Sequence, residues 1–234
     1  MRSILLIVLL AVTAACAAPA FAERIAIIGT GQVATALGPR IAWAGHSVTY
    51  GSRNPNADHV QALLMTTGHG ATASRPPNAA READIIVLAV PAEVAVDVLS
   101  SLGDVAGKII VDPTNAFEIS QDRLARRTTD TSMGELLQAA APAARVVKAL
   151  NSISYRTMKD PDIARGTITI PMAGNDERAK RRVAALLGEL GFESLDIGPV
   201  RYSRELEGML IVWMNARLSG NSFNYYFRPE NGEE

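Results

Sequence analysis

Cysteine and histidine are scarce in this chain of 234 residues, which has one cysteine and three histidines. Cys16 lies in the apolar N-terminal segment, so the rest of the chain has neither a disulfide framework nor a cysteine nucleophile. The histidines His46, His59 and His69 are scattered along the chain. Their spacing fits no known zinc motif, and the sequence therefore predicts no metal site.

The chain also lacks a strong net charge, since 23 basic and 24 acidic residues give −1 at pH 7. Proteins that bind nucleic acid normally carry a basic excess, so this class of partner is not expected. Aromatic residues make up 5% of the chain and hydrophobic residues 48%. This composition is that of an ordinary globular protein, and the length suits one sizeable domain with a small extension.

The first 22 residues are typical of a secretory signal peptide. Arg2 precedes a nearly unbroken apolar run over residues 4–12, and residues 20–22 fit the small-x-small cleavage pattern. We therefore expect a periplasmic or secreted protein that begins at Glu23, with no membrane contact beyond this signal. Two alternatives stay open: a lipoprotein signal at Cys16, and an uncleaved segment that anchors the chain in a membrane.

Strand-like apolar runs then alternate with amphipathic helical patterns. Strands are predicted over residues 24–29, 46–51, 71–73, 84–90, 108–112, 145–150, 167–173 and 193–196. Helices are predicted over residues 31–44, 58–67, 92–102, 132–141, 176–188 and 204–218. This alternation predicts an α/β fold with a doubly wound, mainly parallel sheet. The nucleotide-binding domain would span residues 23–200, and a C-terminal helix and tail would span residues 201–234.

The first strand runs into a glycine turn with the spacing G-x-G-x-x-A. Gly29 permits the tight turn, Gly31 lets a pyrophosphate approach the backbone, and Ala34 lets the next helix pack closely. The start of that helix offers free N–H groups and a positive dipole end to phosphates. The turn therefore predicts a dinucleotide site. A glycine turn without a ligand is the alternative, which the flanking strand and amphipathic helix disfavour.

The end of the second strand distinguishes between the two nicotinamide cofactors. NAD sites usually place a carboxylate there to bind the ribose 2′-hydroxyl. This chain has Ser52, Arg53 and Asn54 instead. The guanidinium suits a 2′-phosphate, and its two neighbours add neutral donors. The sequence therefore favours NADP over NAD, with an ordinary exposed turn as the alternative.

Three further strand ends should meet at the edge of the sheet where doubly wound folds bind ligands. Backbone after the strand at 84–90 is expected beneath a ribose of the cofactor, and polar side chains after the next two strands could bond the carboxamide or a substrate. Strand termination and loop capping are the alternatives. The candidates are Ala89, Val90 and Pro91 at the first of these ends, Asn115 at the second, and Asn151 and Ser152 at the third.

No side chain stands out as an acid or base catalyst. His46 begins a strand at the far end of the sheet, whereas His59 and His69 are expected beyond the cofactor loop. Tyr155 and Lys159 are four residues apart, but the Tyr-x-x-x-Lys pair of one dehydrogenase group requires a different strand context. Hydride transfer between two flat redox groups needs positioning more than proton transfer, so this absence is compatible with an oxidoreductase.

Taken in order, these motifs resemble the NADP-dependent reductases of 8-hydroxy-5-deazaflavin, coenzyme F420. The Gly-Ser-Arg-Asn loop and the Val-Lys-Ala-x-Asn strand are the more specific parts of the resemblance, which covers roughly residues 24–213. The cytosolic domains of six-transmembrane ferric reductases share much of the pattern, and pyrroline-5-carboxylate reductases share it more distantly. The segments that carry the resemblance are residues 29–34, 51–55, 89–91, 112–115, 147–151, 173–176 and 190–192.

The resemblance implies an NADPH-dependent oxidoreductase whose partner is a small redox acceptor, a deazaflavin or flavin-like molecule stacked near the C-terminal helix. A homodimer through that helix is a further expectation. The export signal and the aromatic tail at residues 224–229 depart from the family. An exported NADP-binding module without turnover, or an imine or carbonyl reductase, are therefore alternatives. The residues implied at the cofactor are Thr30, Gly31, Gln32, Val33, Ser52 and Arg53, with Ala149 near the nicotinamide.

Overall fold

The computed structural model describes residues 22–221 and 223–228. The predicted signal peptide, with its alternatives, lies outside the described residues except for Ala22. Within the described ranges, no helix combines the length and the hydropathy required to cross a membrane.

The described chain alternates between strands and helices as the sequence predicts. Two short 3-10 turns, Pro161–Ala164 and Val200–Tyr202, separate some of the later elements. The strands are β1 Arg24–Ile28, β2 Ser47–Gly51, β3 Thr72–Ser74, β4 Ile85–Leu88, β5 Ile109–Asp112, β6 Phe117–Ile119, β7 Ala125–Arg127, β8 Arg145–Lys148, β9 Thr169–Gly174 and β10 Glu193–Asp196. The helices are α1 Gln32–Trp43, α2 Asp58–Thr67, α3 Pro76–Glu82, α4 Ala92–Ser101, α5 Met133–Ala140, α6 Tyr155–Lys159, α7 Glu177–Glu189 and α8 Ser203–Leu218.

The main sheet has eight strands in the order β10-β9-β8-β5-β4-β1-β2-β3. All neighbouring pairs are parallel except β8 and β9, which are antiparallel. The strand order reverses at β1, which pairs with β2 on one side and β4 on the other. In such sheets, ligands bind beyond the carboxyl ends of the strands at this reversal. The fold is thus the predicted doubly wound one, and it places the glycine turn after β1 at the ligand edge.

Two layers of helices cover the sheet, which explains why its central strands are apolar on both faces. Ile85–Leu88 is buried at all four positions. Helices α1, α2 and α7 pack on one face through side chains such as Leu37 and Val183. Helices α3, α4 and α5 pack on the other face through side chains such as Leu99 and Leu137. Each fully buried leucine contributes about 1.5–3 kcal/mol, so the core holds the strand ends in register.

Three elements of the structure are not predicted from the sequence, because each lacks a clear local pattern. Helix α3 begins with two prolines. Proline is favoured in the first turn of a helix, but two prolines in a row also suggest a loop. The β6–β7 hairpin has three residues per strand and is mostly exposed, so it lacks a hydrophobic pattern. Helix α6 has only five residues. The strand predicted to continue to residue 150 ends at Lys148, and Leu150 adopts a positive φ of 67°.

Candidate functional site

The turn after β1 needs glycine at its first position. The backbone of Gly29 has φ of +115°, and its amide donates to the Gly51 carbonyl at 3.0 Å. A Cβ atom placed here would lie 2.2 Å from the Ala89 carbonyl oxygen. The turn therefore brings the ends of β1, β2 and β4 together, and any side chain at this position would push the β4 end away.

Gly31 has a different function in the same turn. A Cβ added to Gly31 would have no atom within 4 Å in the described structure, so the space above it is open. Gly31 is the N-cap of α1, and neither a side-chain cap nor an acidic residue is present in the first helical turn. The free N–H groups and helix dipole of this end suit an anion. The turn therefore has both the space and the hydrogen-bond donors that a pyrophosphate requires.

The loop after β2 supplies a cation beside this turn. Ser52 is buried, donates its amide to the Ser74 carbonyl at 2.9 Å, and accepts the Asn54 amide on its hydroxyl at 3.2 Å. These bonds fix the loop, whereas Arg53 is exposed. Arg53 takes part in none of the ion pairs found among residues 22–221 and 223–228. A free guanidinium on a rigid loop fits a ribose 2′-phosphate.

His59 lies closer to the glycine turn than the sequence predicts. Its Nε2 is 3.5 Å from the Thr30 hydroxyl, a pairing across 29 residues that α2 creates by folding back over the turn. The prediction that His59 lies beyond the cofactor loop is therefore wrong. His46 lies at the opposite end of the sheet, where it accepts the Glu23 amide and pairs with Glu189, as expected. These contacts leave His59 as the histidine nearest the cofactor turn.

The loop after β4 forms the wall opposite the glycine turn. The Ala89 carbonyl faces Gly29, and the Val90 side chain would be 3.4 Å from a Cβ on that glycine. Both residues are half-buried, and Pro91 is the N-cap of α4. The structure thus brings this predicted segment next to the turn. Gln32 is exposed and Val33 half-buried at the start of α1, where both can face a ligand.

Two asparagines bridge the ends of β5 and β8. The Asn151 amide nitrogen donates to Asn115 Oδ1 at 3.0 Å, and Asn115 donates to the Asn151 carbonyl at 3.1 Å. Asn151 is buried, and its Oδ1 lacks a hydrogen-bond partner among the described residues. A buried, unsatisfied acceptor is costly unless a ligand supplies a donor. The Asn151 Oδ1 atom is therefore a suitable acceptor for an N–H group of a carboxamide or of a ligand ring. Ala149 is fully buried, and its contact with a nicotinamide stays a prediction.

Beneath these asparagines lies a buried charge cluster that sequence reasoning missed. The Lys148 ammonium is fully buried and lies 2.7 Å from Asp112 Oδ2, Glu207 Oε1 and the Thr114 carbonyl. Asp112 also accepts the amide and hydroxyl of Thr114 at 2.8 and 2.7 Å. Burial raises the pKa of Glu207, and the ammonium only partly opposes this effect. The cluster therefore fixes the strand ends and helix α8 in one arrangement.

A small cavity of about 70 Å³ adjoins Asn151, between the end of β8, helix α8 and the C-terminal tail. Trp213 of α8 and Tyr225 and Tyr226 of the tail line it. Burial raises the pKa of Tyr225 to about 12, so its hydroxyl stays protonated at neutral pH. No sequence pattern places these residues at a cavity, because the tail returns to β9 over long range.

Comparisons with known proteins identify one group of relatives of similar length. Residues 24–116 match the family described as NADP oxidoreductase, coenzyme F420-dependent. A crystal structure of a candidate F420-dependent NADP reductase from Arthrobacter sp. FB24 is 30% identical, with a TM-score of 0.80 over 89% of this chain and 100% of the other. The F420-dependent NADP reductase of Methanothermobacter thermautotrophicus is 27% identical over 89% of this chain and 95% of its own.

A second group of relatives is much longer. Rat metalloreductase STEAP3 is 32% identical over 82% of this chain, but the match covers 37% of that protein. Human metalloreductase STEAP2 is 26% identical over 79% of this chain and 35% of its own length. The chain therefore spans about a third of the metalloreductases that it matches.

Proposed function

The chain belongs to the family of coenzyme F420-dependent NADP oxidoreductases, and from this premise we propose that it transfers a hydride between NADP(H) and a flat deazaflavin or flavin-like acceptor. The family binds NADP(H) and is an oxidoreductase family. The nature of the acceptor is our proposal, since the matching relatives are distant.

The observation that carries the proposal is an open glycine turn beside Arg53, whose guanidinium has no ion-pair partner in the part of the chain that the structure describes. Gly31 leaves room for a pyrophosphate at the start of α1, and Arg53 stands beside it on a loop fixed by Ser52. No carboxylate occupies the end of β2, where an NAD site would have one. These residues would hold the cofactor by its phosphates and select the phosphorylated ribose.

The bound cofactor would supply the hydride, and the chain would supply position. Asn151 would accept an N–H through its free Oδ1, while Asn115 fixes the amide of Asn151. The buried cluster around Lys148 would hold these asparagines in place from below. Hydride transfer between two flat redox groups depends on positioning more than on proton transfer, so the proposal requires no dedicated acid.

The experiment is a titration of the protein, starting at Glu23, with NADPH and NADH, followed by a screen of acceptors. We expect Arg53→Ala to weaken NADPH binding roughly 10–100-fold, because a charge-assisted contact contributes about 1.5–3 kcal/mol. NADH affinity should barely change. The matched control is Arg181→Ala, an exposed arginine on α7 that should alter neither.

An unchanged NADPH-to-NADH preference in Arg53→Ala would contradict the cofactor assignment. Tight NADPH binding without oxidation by flavins, deazaflavins or ferric chelates would instead favour a binding module without turnover. The two results separate the cofactor half of the proposal from the acceptor half.

A further inference from the structure

The C-terminal tail, residues 223–228, folds back over the cavity beside Asn151 rather than extending from helix α8. The Trp213 indole donates to the Phe223 carbonyl at 2.9 Å, and the Thr169 amide donates to the Phe227 carbonyl at 3.0 Å. Arg228 donates to the carbonyls of Ala164 and Arg165 at 2.7 and 3.2 Å. The tail is therefore attached at both ends.

Between these attachments, two tyrosines face the cavity. Tyr225 and Tyr226 are half-buried, and the Tyr226 hydroxyl is 3.4 Å from the hydroxyl of the buried Thr157. Tyr225 lies near Phe223, with 6.1 Å between the ring centroids. Together with Trp213 and Asn151, the two tyrosines line the cavity. The side chains of the tail thus form a wall of the space next to the unsatisfied Asn151 oxygen.

The volume of this cavity decides what can enter. It measures about 70 Å³, which is about half of an engineered cavity of about 150 Å³ that holds one benzene ring. A three-ring flavin therefore cannot be enclosed while the tyrosines stay in place. At most, the edge of one ring can reach Asn151.

We propose that Tyr225 and Tyr226 determine acceptor size, so that the intact tail admits only the edge of a flat ring and withdrawal of the two side chains admits a whole flavin. This inference rests on the proposed function, because it takes the space beside Asn151 as the place of the acceptor. It assigns the tail a selective role that neither the family motifs nor the cofactor turn contains.

The test uses Trp213 as the reporter. The chain has two tryptophans, and Trp43 is 80% exposed on α1, so Trp43→Phe leaves a single reporter in the cavity wall. Riboflavin is titrated into this protein with saturating NADP⁺, and quenching of the indole fluorescence gives its Kd. We expect the added substitutions Tyr225→Ala and Tyr226→Ala to lower that Kd by about tenfold or more.

The matched control is Phe227→Ala in the same background. Phe227 lies on the same tail and loses a similar ring, but it does not line the cavity, and its backbone bond to Thr169 survives the change. We expect its riboflavin Kd to stay within about twofold of the parent. The NADP⁺ Kd should be the same in all variants. Thermal unfolding, followed by circular dichroism, identifies a variant that fails to fold. If the double variant does not fold, the single variant Tyr226→Ala replaces it, and its riboflavin Kd should also fall.

A double variant that binds riboflavin no more tightly than its parent would overturn the proposal, and so would the absence of quenching in every variant. Failure of the proposed function looks different. In that case NADP⁺ does not bind, or NADPH is not oxidised by any acceptor although riboflavin binding follows the expected pattern.

Discussion

The two halves of the ligand edge are built in opposite ways. The cofactor half, at the ends of β1 and β2, consists mainly of backbone, two glycines and an exposed Arg53. The proposed acceptor half, at the ends of β5 and β8, rests on a buried ammonium with two carboxylates and is covered by the tail. The first half offers open space and free N–H groups to a ligand. The second half, as proposed above, restricts entry through side chains from distant parts of the chain.

The difference shows where stability and function coincide. Removing a group from the cofactor half should harm binding more than folding, because little is buried there. Removing a group from the cluster should harm folding first, because a buried charge without its partner is strongly unfavourable. Three experiments test this contrast, from the largest expected effect to the smallest.

Lys148→Met should have the largest effect. It leaves the carboxylates of Asp112 and Glu207 buried without their cation, and breaking such a cluster costs about 3–5 kcal/mol. Chemical denaturation gives the free energy of unfolding directly. Lys159→Met, on the exposed surface of α6, is the control and should change that free energy by less than about 0.5 kcal/mol. If Lys148→Met lowered the free energy of unfolding by less than about 1 kcal/mol, the cluster would not be the stabilising element that the comparison assumes.

Within the cofactor half, the two glycines should separate folding from binding. Gly29→Ala places a Cβ against the Ala89 carbonyl at a positive φ, and we expect a loss of about 1–3 kcal/mol in stability together with the loss of NADPH binding. Gly31→Ala has φ of −84° and open space around it, so its stability should change by less than about 0.5 kcal/mol. Its NADPH affinity should still fall about tenfold, because the new methyl group occupies the place of the pyrophosphate. Calorimetric titration and thermal unfolding measure both effects, and equal affinity in Gly31→Ala and the parent would exclude the turn as the phosphate site.

The smallest effect concerns how stability depends on pH. Burial raises the pKa of Glu207 in the folded state above its unfolded value, so its contribution is fully present below the unfolded pKa and declines as pH rises through the folded pKa. Glu207→Gln should remove this decline. Glu135 is the opposite case, because its bonds to Arg204 and Ser132 lower its pKa. Its contribution is present above the unfolded pKa and is lost as pH falls through the folded pKa.

Denaturation of Glu207→Gln and Glu135→Gln between acid and neutral pH compares the two. We expect the stability-against-pH curves to tilt in opposite directions relative to the parent. Curves that remain parallel to that of the parent would mean that neither carboxyl group has the environment described above.

The cofactor half is predictable from the sequence because its residues are close together along the chain. Gly29, Gly31 and Ala34 lie within one turn and helix start, and Arg53 follows the next strand, so periodicity and spacing suffice. The doubly wound order follows from alternation alone. Even here, the approach of His59 to Thr30 is a packing result that no local pattern contains.

The acceptor half resists prediction because its contacts join residues that are far apart. Glu207 forms an ion pair with Lys148, which lies 59 residues earlier in the chain. The Phe227 backbone pairs with Thr169 of β9. In sequence, Glu207 is one polar residue on an amphipathic helix, which normally faces water. Glu207 is buried because α8 packs against other elements, including α5, whose Met133 amide donates to its Oε1 at 2.9 Å.

The tail is joined to β9 through the peptide groups of Thr169 and Phe227, and such a bond is indifferent to the identity of the side chains. Substitutions between the attachment points can therefore change the side chains of the tail without breaking its backbone bond to Thr169. Under the role proposed for Tyr225 and Tyr226, evolution can change which acceptor fits by substituting these two residues, while the dinucleotide turn remains unchanged.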